Sequence, residues 1–255
     1  MSDTARSAWV KRLPGAEPAA HHLVCFPHAG GGASFFRPWR DTLPPATELL
    51  VIQYPGREDR LQEPFAETVE EVVEGVSAQL PAELDGAPVT FFGHSMGALI
   101  AYEVARHWER LGLPGPERLV VSGQYAPGEL PPQDVHERDD DGVLEVVERL
   151  GGAVTDVRRS TELKEFVAAL TRADYRMLDG YEPYDGEPVT AALTALCGRD
   201  DPAVSPEDVA RWRDFTTGPF ELLRFPGGHF YLRDGRQAVI SALAGALPHA
   251  TGQYT

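Results

Sequence analysis

The chain has 255 residues, 42% of them hydrophobic and 24% charged, which is enough apolar material for one large domain. Its 39 acidic residues against 23 basic ones give a net charge of −16, which argues against nucleic acid and against an anionic membrane surface as partners. Two cysteines are too few for a disulfide framework, no apolar run approaches the roughly 18 residues that span a bilayer, and the N-terminus MSDTARSAWVKRLPG lacks a secretory core, so a cytoplasmic protein is expected.

Residues 1–20 are polar, with Pro and Gly, and read as a mobile or surface-hugging arm. HHLVCFP (21–27) reads as a strand, and HAGGGASFF (28–36) as a glycine-rich turn entering a helix through Phe36, Trp39 and Leu43. ELLVIQYPG (48–56) is a second strand. The stretch 68–80 carries Val69, Val72, Val73, Val76 and Leu80 at helical spacing. VTFFG (89–93) is a third strand, 98–111 a helix, and RLVVSG (118–123) a fourth strand. Strands that are apolar throughout, alternating with helices, predict a parallel sheet covered on both faces.

The rhythm then breaks. Residues 127–142 are rich in Pro and Asp, and the run RDDDG reads as a solvated loop. Two helices are predicted after it, over 143–150 and 161–178, the second with Ser160 as its cap. They read as an insertion over one edge of the sheet. Strand and helix resume with VTAALTALCG (189–198), a helix over 206–215, the strand FELLRFPGG (220–228) and a closing helix over 238–247. Cys25 and Cys197 fall inside apolar strands and read as buried thiols.

GHSMG (93–97) matches G-x-S-x-G with a strand before it and a helix after it. Such a turn pushes the Ser95 hydroxyl clear of the backbone at the carboxyl end of the sheet. The helix N-terminus aims its free N–H groups at the same place. A serine hydroxyl needs a base, because it is almost wholly protonated at neutral pH. In the α/β-hydrolase order the acid and then the histidine follow the serine, each after a strand. His136 lies in the acidic insertion and His249 beyond the last helix. His229, in FPGGHF, follows a strand and two glycines and is the expected base. CGRDDPAVSP (197–206) offers Asp200 and Asp201 as the acid, and the spacing from Gly198 favours Asp201. Asp174, Asp179 and Asp185 follow no strand directly. An oxyanion hole needs the N–H of the residue after the nucleophile, Met96, and a second from the turn after the first strand. In HAGGG (28–32) Ala29 is the expected donor, and His28 reads as a structural hydrogen-bonding residue.

Together FPHAGGGASFF, YPGRE (54–58), FFGHSMGA, LTRADYRMLDGY (170–181), CGRDDP and FPGGHFYL resemble the type II thioesterases over about 23–232, nearly the whole chain. The resemblance implies a single α/β-hydrolase domain over 1–255, a mostly parallel twisted sheet with helices on both faces and a helical lid at about 127–187. It implies hydrolysis of acyl thioesters from the phosphopantetheine arm of acyl or peptidyl carrier proteins, editing or unblocking a polyketide or nonribosomal peptide assembly line. The phosphopantetheine belongs to the transient partner, and no cofactor or metal of the chain's own is implied. Ser95, Asp201 and His229 take the catalytic roles, with Ala29 and Met96 as the oxyanion donors. Arg57 and Glu58 read as a turn salt bridge, with Arg57 at the mouth as the alternative; Arg172 and Asp174 read as an internal ion pair. Carrier proteins are usually acidic, so docking on this acidic chain would use a local basic or apolar patch including Arg37 or Arg57. Phe35, Phe36 and Phe166 read as core or pocket wall. A general serine esterase on the same scaffold and a non-catalytic assembly factor are the alternative readings.

Overall fold

The computed structural model describes residues 7–13, 19–183 and 186–244. Its strands are β1 (Val10–Leu13), β2 (His21–Phe26), β3 (Thr47–Ile52), β4 (Val89–His94), β5 (Arg118–Ser122), β6 (Ala192–Gly198) and β7 (Phe220–Phe225). They form one sheet in the order β1-β3-β2-β4-β5-β6-β7, parallel except for β1, which runs antiparallel to β3. The helices are α1 (Val69–Gln79), α2 (Met96–Arg110), α3 (Asp140–Arg149), α4 (Thr161–Asp179), α5 (Pro206–Ala210), α6 (Tyr231–Asp234) and α7 (Arg236–Ala244).

The central strands alternate between two cores, as the period of two in a strand requires. Val24, Phe26, Phe91, Leu119 and Val121 pack with α1 and α2 on one face. Leu23, Cys25, Phe92 and Val120 pack on the other face with Phe36, Trp39 and α7. Both faces are covered, so β2 and β4 are buried along their whole length. Cys25 and Cys197 are unpaired and buried.

Several elements differ from the expected ones. Residues 10–13 of the expected arm form an edge strand; 1–6 and 14–18 lie outside the described residues. The expected helix after HAGGG is a 3-10 turn over Ala33–Trp39 that ends before Leu43. The second strand stops at Ile52, short of Pro55, and the sixth begins at Ala192, with Val189 in an isolated bridge to Thr216. The predicted 206–215 helix is α-helical only to Ala210 and 3-10 beyond. The closing helix starts at Arg236, and 245–247 lie outside the described residues.

The Ser160 cap forms as expected, its hydroxyl accepting from the Leu163 N–H at 3.3 Å. The segment between β5 and β6 does not lie over a sheet edge. It crosses the carboxyl ends of the strands, where Asp174 accepts from the Gly30 N–H beyond β2 and Arg233 beyond β7 donates to the Gly151 carbonyl.

Candidate active site

The strand order reverses between β2 and β4. The chain leaves β2 outward to β3 and returns to the other side of β2, and the carboxyl ends at such a reversal leave a crevice. The pairing registers bring the expected residues to this one end. Phe26 pairs with Gly93, so the 27–32 turn and Ser95 emerge side by side. His94 pairs with Ser122, and Gly198 with Phe225, so Asp201 and His229 leave adjacent strands at the same level.

The turn from β4 into α2 is built on two close approaches. A Cβ at Gly93 would stand 2.1 Å from the Gly97 carbonyl oxygen, and one at Gly97 2.0 Å from that of Phe26. Only glycine lets α2 start this close to β2, and the contact brings Met96 beside the 27–32 turn. Ser95 pays in backbone strain, with φ 53° and ψ −127°, a conformation costing about 1–3 kcal/mol. Its N–H donates to the Ser122 carbonyl at 2.7 Å.

Asp201 Oδ2 lies 2.8 Å from His229 Nδ1, and the carboxylate is wholly buried. Its Oδ1 accepts from the Ala203 N–H at 2.9 Å, which closes the loop after β6. Asp200 is exposed and uses its backbone, donating to the Gly227 carbonyl at 3.0 Å. Of the two aspartates, Asp201 is the one that meets His229. Ser95 and His229 line one narrow cavity of about 30 Å³, room for roughly a water or two. Gln124, Tyr125, Gln133, Tyr175 and Leu178 are among its other wall residues. Trp212 pins the Gln124 carbonyl at 2.8 Å, and the Tyr125 hydroxyl reaches the Ala203 carbonyl at 3.1 Å. These wall residues carried no signal in the sequence beyond their places after β5 and in the inserted helices.

In the 27–32 turn the polar groups around Ala29 are already engaged. The Pro27 carbonyl accepts from the Tyr54 hydroxyl at 3.2 Å and the His28 carbonyl from the Gly31 N–H at 2.9 Å. The Gly30 N–H donates to Asp174 at 2.7 Å. Among the described residues neither the Ala29 nor the Met96 N–H has a partner within the chain. His28 is not the hydrogen-bonding residue expected: no bond to either ring nitrogen occurs among the described residues, and the ring packs edge-on against Phe35 and Phe230 at 4.5 and 4.8 Å between centroids. Phe36 is fully buried core, while Phe35 and Phe166 are half-buried. Among the described residues no group of three or more His, Cys, Asp or Glu side chains is placed to hold a metal ion.

Both expected ion pairs are replaced by longer-range ones. Arg57 is buried and pairs with Asp174, while Glu58 accepts from the Ser34 N–H and hydroxyl. Arg172 pairs with Asp140 and donates to the Arg138 carbonyl. Arg57 is therefore closed to any partner protein. Arg37 is exposed and lines an open groove beside β1, where Lys11 and Arg12 are balanced by Glu58, Asp59 and Glu83.

Burial holds three histidines neutral. It lowers His21 to about 4 and His28 to about 3, the latter helped by the positive fields of His229, Arg233 and Arg57. It also takes His94 well below the usual 6.5, with His229 and His28 adding. The unfolded chain takes up protons at these sites as pH falls below about 6.5 and the folded chain does not, so stability is full above that value and falls below it. Urea midpoints are expected to drop between about pH 7.5 and pH 5, and less steeply in His21→Gln. An unchanged midpoint, or an equal drop in the variant, contradicts this.

Comparison with known proteins places the chain in context. Residues 21–247 match the model of the thioesterase domain. The chain is 40% identical over 246 residues to a probable cadicidin biosynthesis thioesterase of Streptomyces griseus, covering 96% of this chain and 68% of that protein. It is 41% identical over 226 residues to the thioesterase PikA5 of Streptomyces venezuelae, covering 89% and 80% respectively. The solved structure of the type II thioesterase BorB from the borrelidin biosynthetic cluster superimposes with a TM-score of 0.87 at 36% identity, covering 96% of this chain and all of that one.

Proposed function

The chain belongs to the thioesterase family, on the α/β-hydrolase fold and alongside its type II members, and from that premise we propose that it cleaves acyl groups from the phosphopantetheine arm of a carrier protein in a polyketide or nonribosomal peptide assembly line. The observation that carries the reading is the shared cavity of Ser95 and His229, with His229 bonded to Asp201 behind it. The relatives from the cadicidin and borrelidin pathways support the assembly-line setting.

In this reading Ser95 attacks the thioester carbonyl while His229 takes the hydroxyl proton. Asp201 holds the imidazole in the needed tautomer and offsets its charge. The carbonyl oxygen becomes an oxyanion between the Ala29 and Met96 N–H groups. The C–S bond breaks, and His229 returns the proton to the departing thiol. Water, deprotonated by His229, then attacks the acyl-serine and releases a free acid and Ser95. The chain's own side chains and N–H groups supply every role, with the segment 127–187 acting as a lid over the acyl group.

The narrow cavity shared by Ser95 and His229, walled by Tyr125, Tyr175 and Leu178, favours short acyl groups. Carrier-bound acetyl and propionyl groups are expected to be hydrolysed faster than long chains, and much faster than the matching oxygen esters. Turnover of oxygen esters alone would refute the carrier-thioester reading. Failure of Ser95 to react with a fluorophosphonate would refute catalysis altogether.

A further inference from the structure

We propose that Asp174, clamped by Arg57, is a positioning residue that locks the oxyanion turn to α4. The inference rests on the oxyanion role given to Ala29 above. Asp174 sits on α4 and is among the buried charged residues of the described chain, 4% exposed against 3% for Arg57. Arg57 engages it with both ends of its fork, Nη1 to Oδ2 and Nη2 to Oδ1, each at 2.7 Å. That arrangement is bidentate, the strongest geometry for such a pair.

Arg57 Nε donates to the Pro55 carbonyl at 3.2 Å, and two further bonds of the pair go to the turn. Asp174 Oδ2 also accepts from the Gly30 N–H at 2.7 Å, and Arg57 Nη1 also donates to the Gly31 carbonyl at 3.1 Å. Two successive residues of the turn are thus held, one through its donor and one through its acceptor. Gly30 has φ 74°, and a Cβ there would meet the buried Thr171 hydroxyl of the same helix at 3.0 Å. The helix therefore fits directly against the turn with no space for a side chain between them.

The peptide groups on the C-terminal side of Ala29 are fixed by this clamp, and the His28 carbonyl is fixed by Gly31. With its neighbours tied down, the Ala29 N–H has a set direction. An oxyanion donor acts only when its direction is fixed before the charge appears. A buried carboxylate and guanidinium are costly to strand, so the clamp also holds this part of α4 in place while the turn is in its working shape.

The test compares four variants on one short acyl-pantetheine substrate and on a trifluoromethyl ketone analogue of it, whose adduct with Ser95 carries the oxyanion. Asp174→Asn keeps the side-chain volume and removes the charge. Its kcat is expected to fall about 10²-fold, the scale of one lost oxyanion donor. KM should stay near the wild-type value, and ketone affinity should fall in step with kcat. Arg57→Lys keeps the charge but loses the fork, and is expected to show the same pattern at smaller size. Asp140→Asn breaks another ion pair that anchors α4, to Arg172, without touching the turn, and should leave kcat unchanged.

Thermal melts establish that each variant is folded, and if Asp174→Asn is not, Arg57→Lys carries the same readouts. Wild-type kcat in the folded variants overturns the proposal. So does a rise in KM with ketone affinity intact, and so does an equal loss of kcat in Asp140→Asn. Ser95→Ala in the same assay separates the two levels of inference. If it is inactive while Asp174→Asn is normal, only the clamp fails; if it remains active, the reading of the site fails.

Discussion

Ser95→Ala is expected to lower kcat by about 10⁶, since removing the nucleophile of such a triad costs on that order, with little change in KM or in the folded state. The geometry explains why the fold survives. The Ser95 turn is held by the approach of Gly93 to Gly97 and of Gly97 to the Phe26 carbonyl, and by the Ser95 N–H to the Ser122 carbonyl at 2.7 Å. None of these involves the hydroxyl. The strain at φ 53° persists in alanine, because both residues carry a Cβ. Glycine lacks one and adopts such angles freely, so Ser95→Gly should be as inactive as Ser95→Ala but melt at a higher temperature. Thiol release and thermal unfolding together check both statements. Retained turnover in Ser95→Ala would remove the nucleophile, and a lower melting temperature in Ser95→Gly would remove the account of strain.

Asp201→Asn is expected to lower kcat by about 10⁴, while Asp200→Asn leaves it near the wild-type value. The two carboxylates are neighbours in sequence with opposite surroundings. Asp201 is sealed and lies 2.8 Å from His229 Nδ1. An asparagine there can turn its NH₂ toward Nδ1, which selects the wrong tautomer and leaves Nε2 protonated and useless as a base. Asp200 faces solvent and contributes its backbone to the loop. Kinetics of both variants on one substrate decide the matter, and a larger loss in Asp200→Asn would reassign the acid.

Much of this was legible in the sequence because it depends on local pattern. The apolar runs at 21–26, 89–94 and 192–198 have one reading once helices are seen between them. The glycines of GHSMG mark a close approach of backbones, and Gly227 before His229 marks a positive φ of 108°. What escaped depends on distance along the chain. Val10–Leu13 is a four-residue strand containing Lys and Arg, and only pairing with β3 makes it a strand. Short charged edge strands are how a sheet limits unwanted pairing, and they leave little trace in hydropathy. The ion pairs failed for a related reason. Sequence favours near neighbours such as Arg57 with Glu58, whereas burial selected a partner 117 positions away. His28 escaped because its aromatic role depends on Phe35 and Phe230 arriving from separate loops.

The enclosure of Cys25 and Cys197 has a practical consequence at the bench. Burial holds both thiols above their usual pKa, and reactivity belongs to the accessible thiolate. A disulfide reagent that colours on meeting free sulfhydryls should therefore leave the native protein silent and report only the mercaptan shed by the reaction. Turnover can be followed continuously in that way, without blocking or replacing either cysteine.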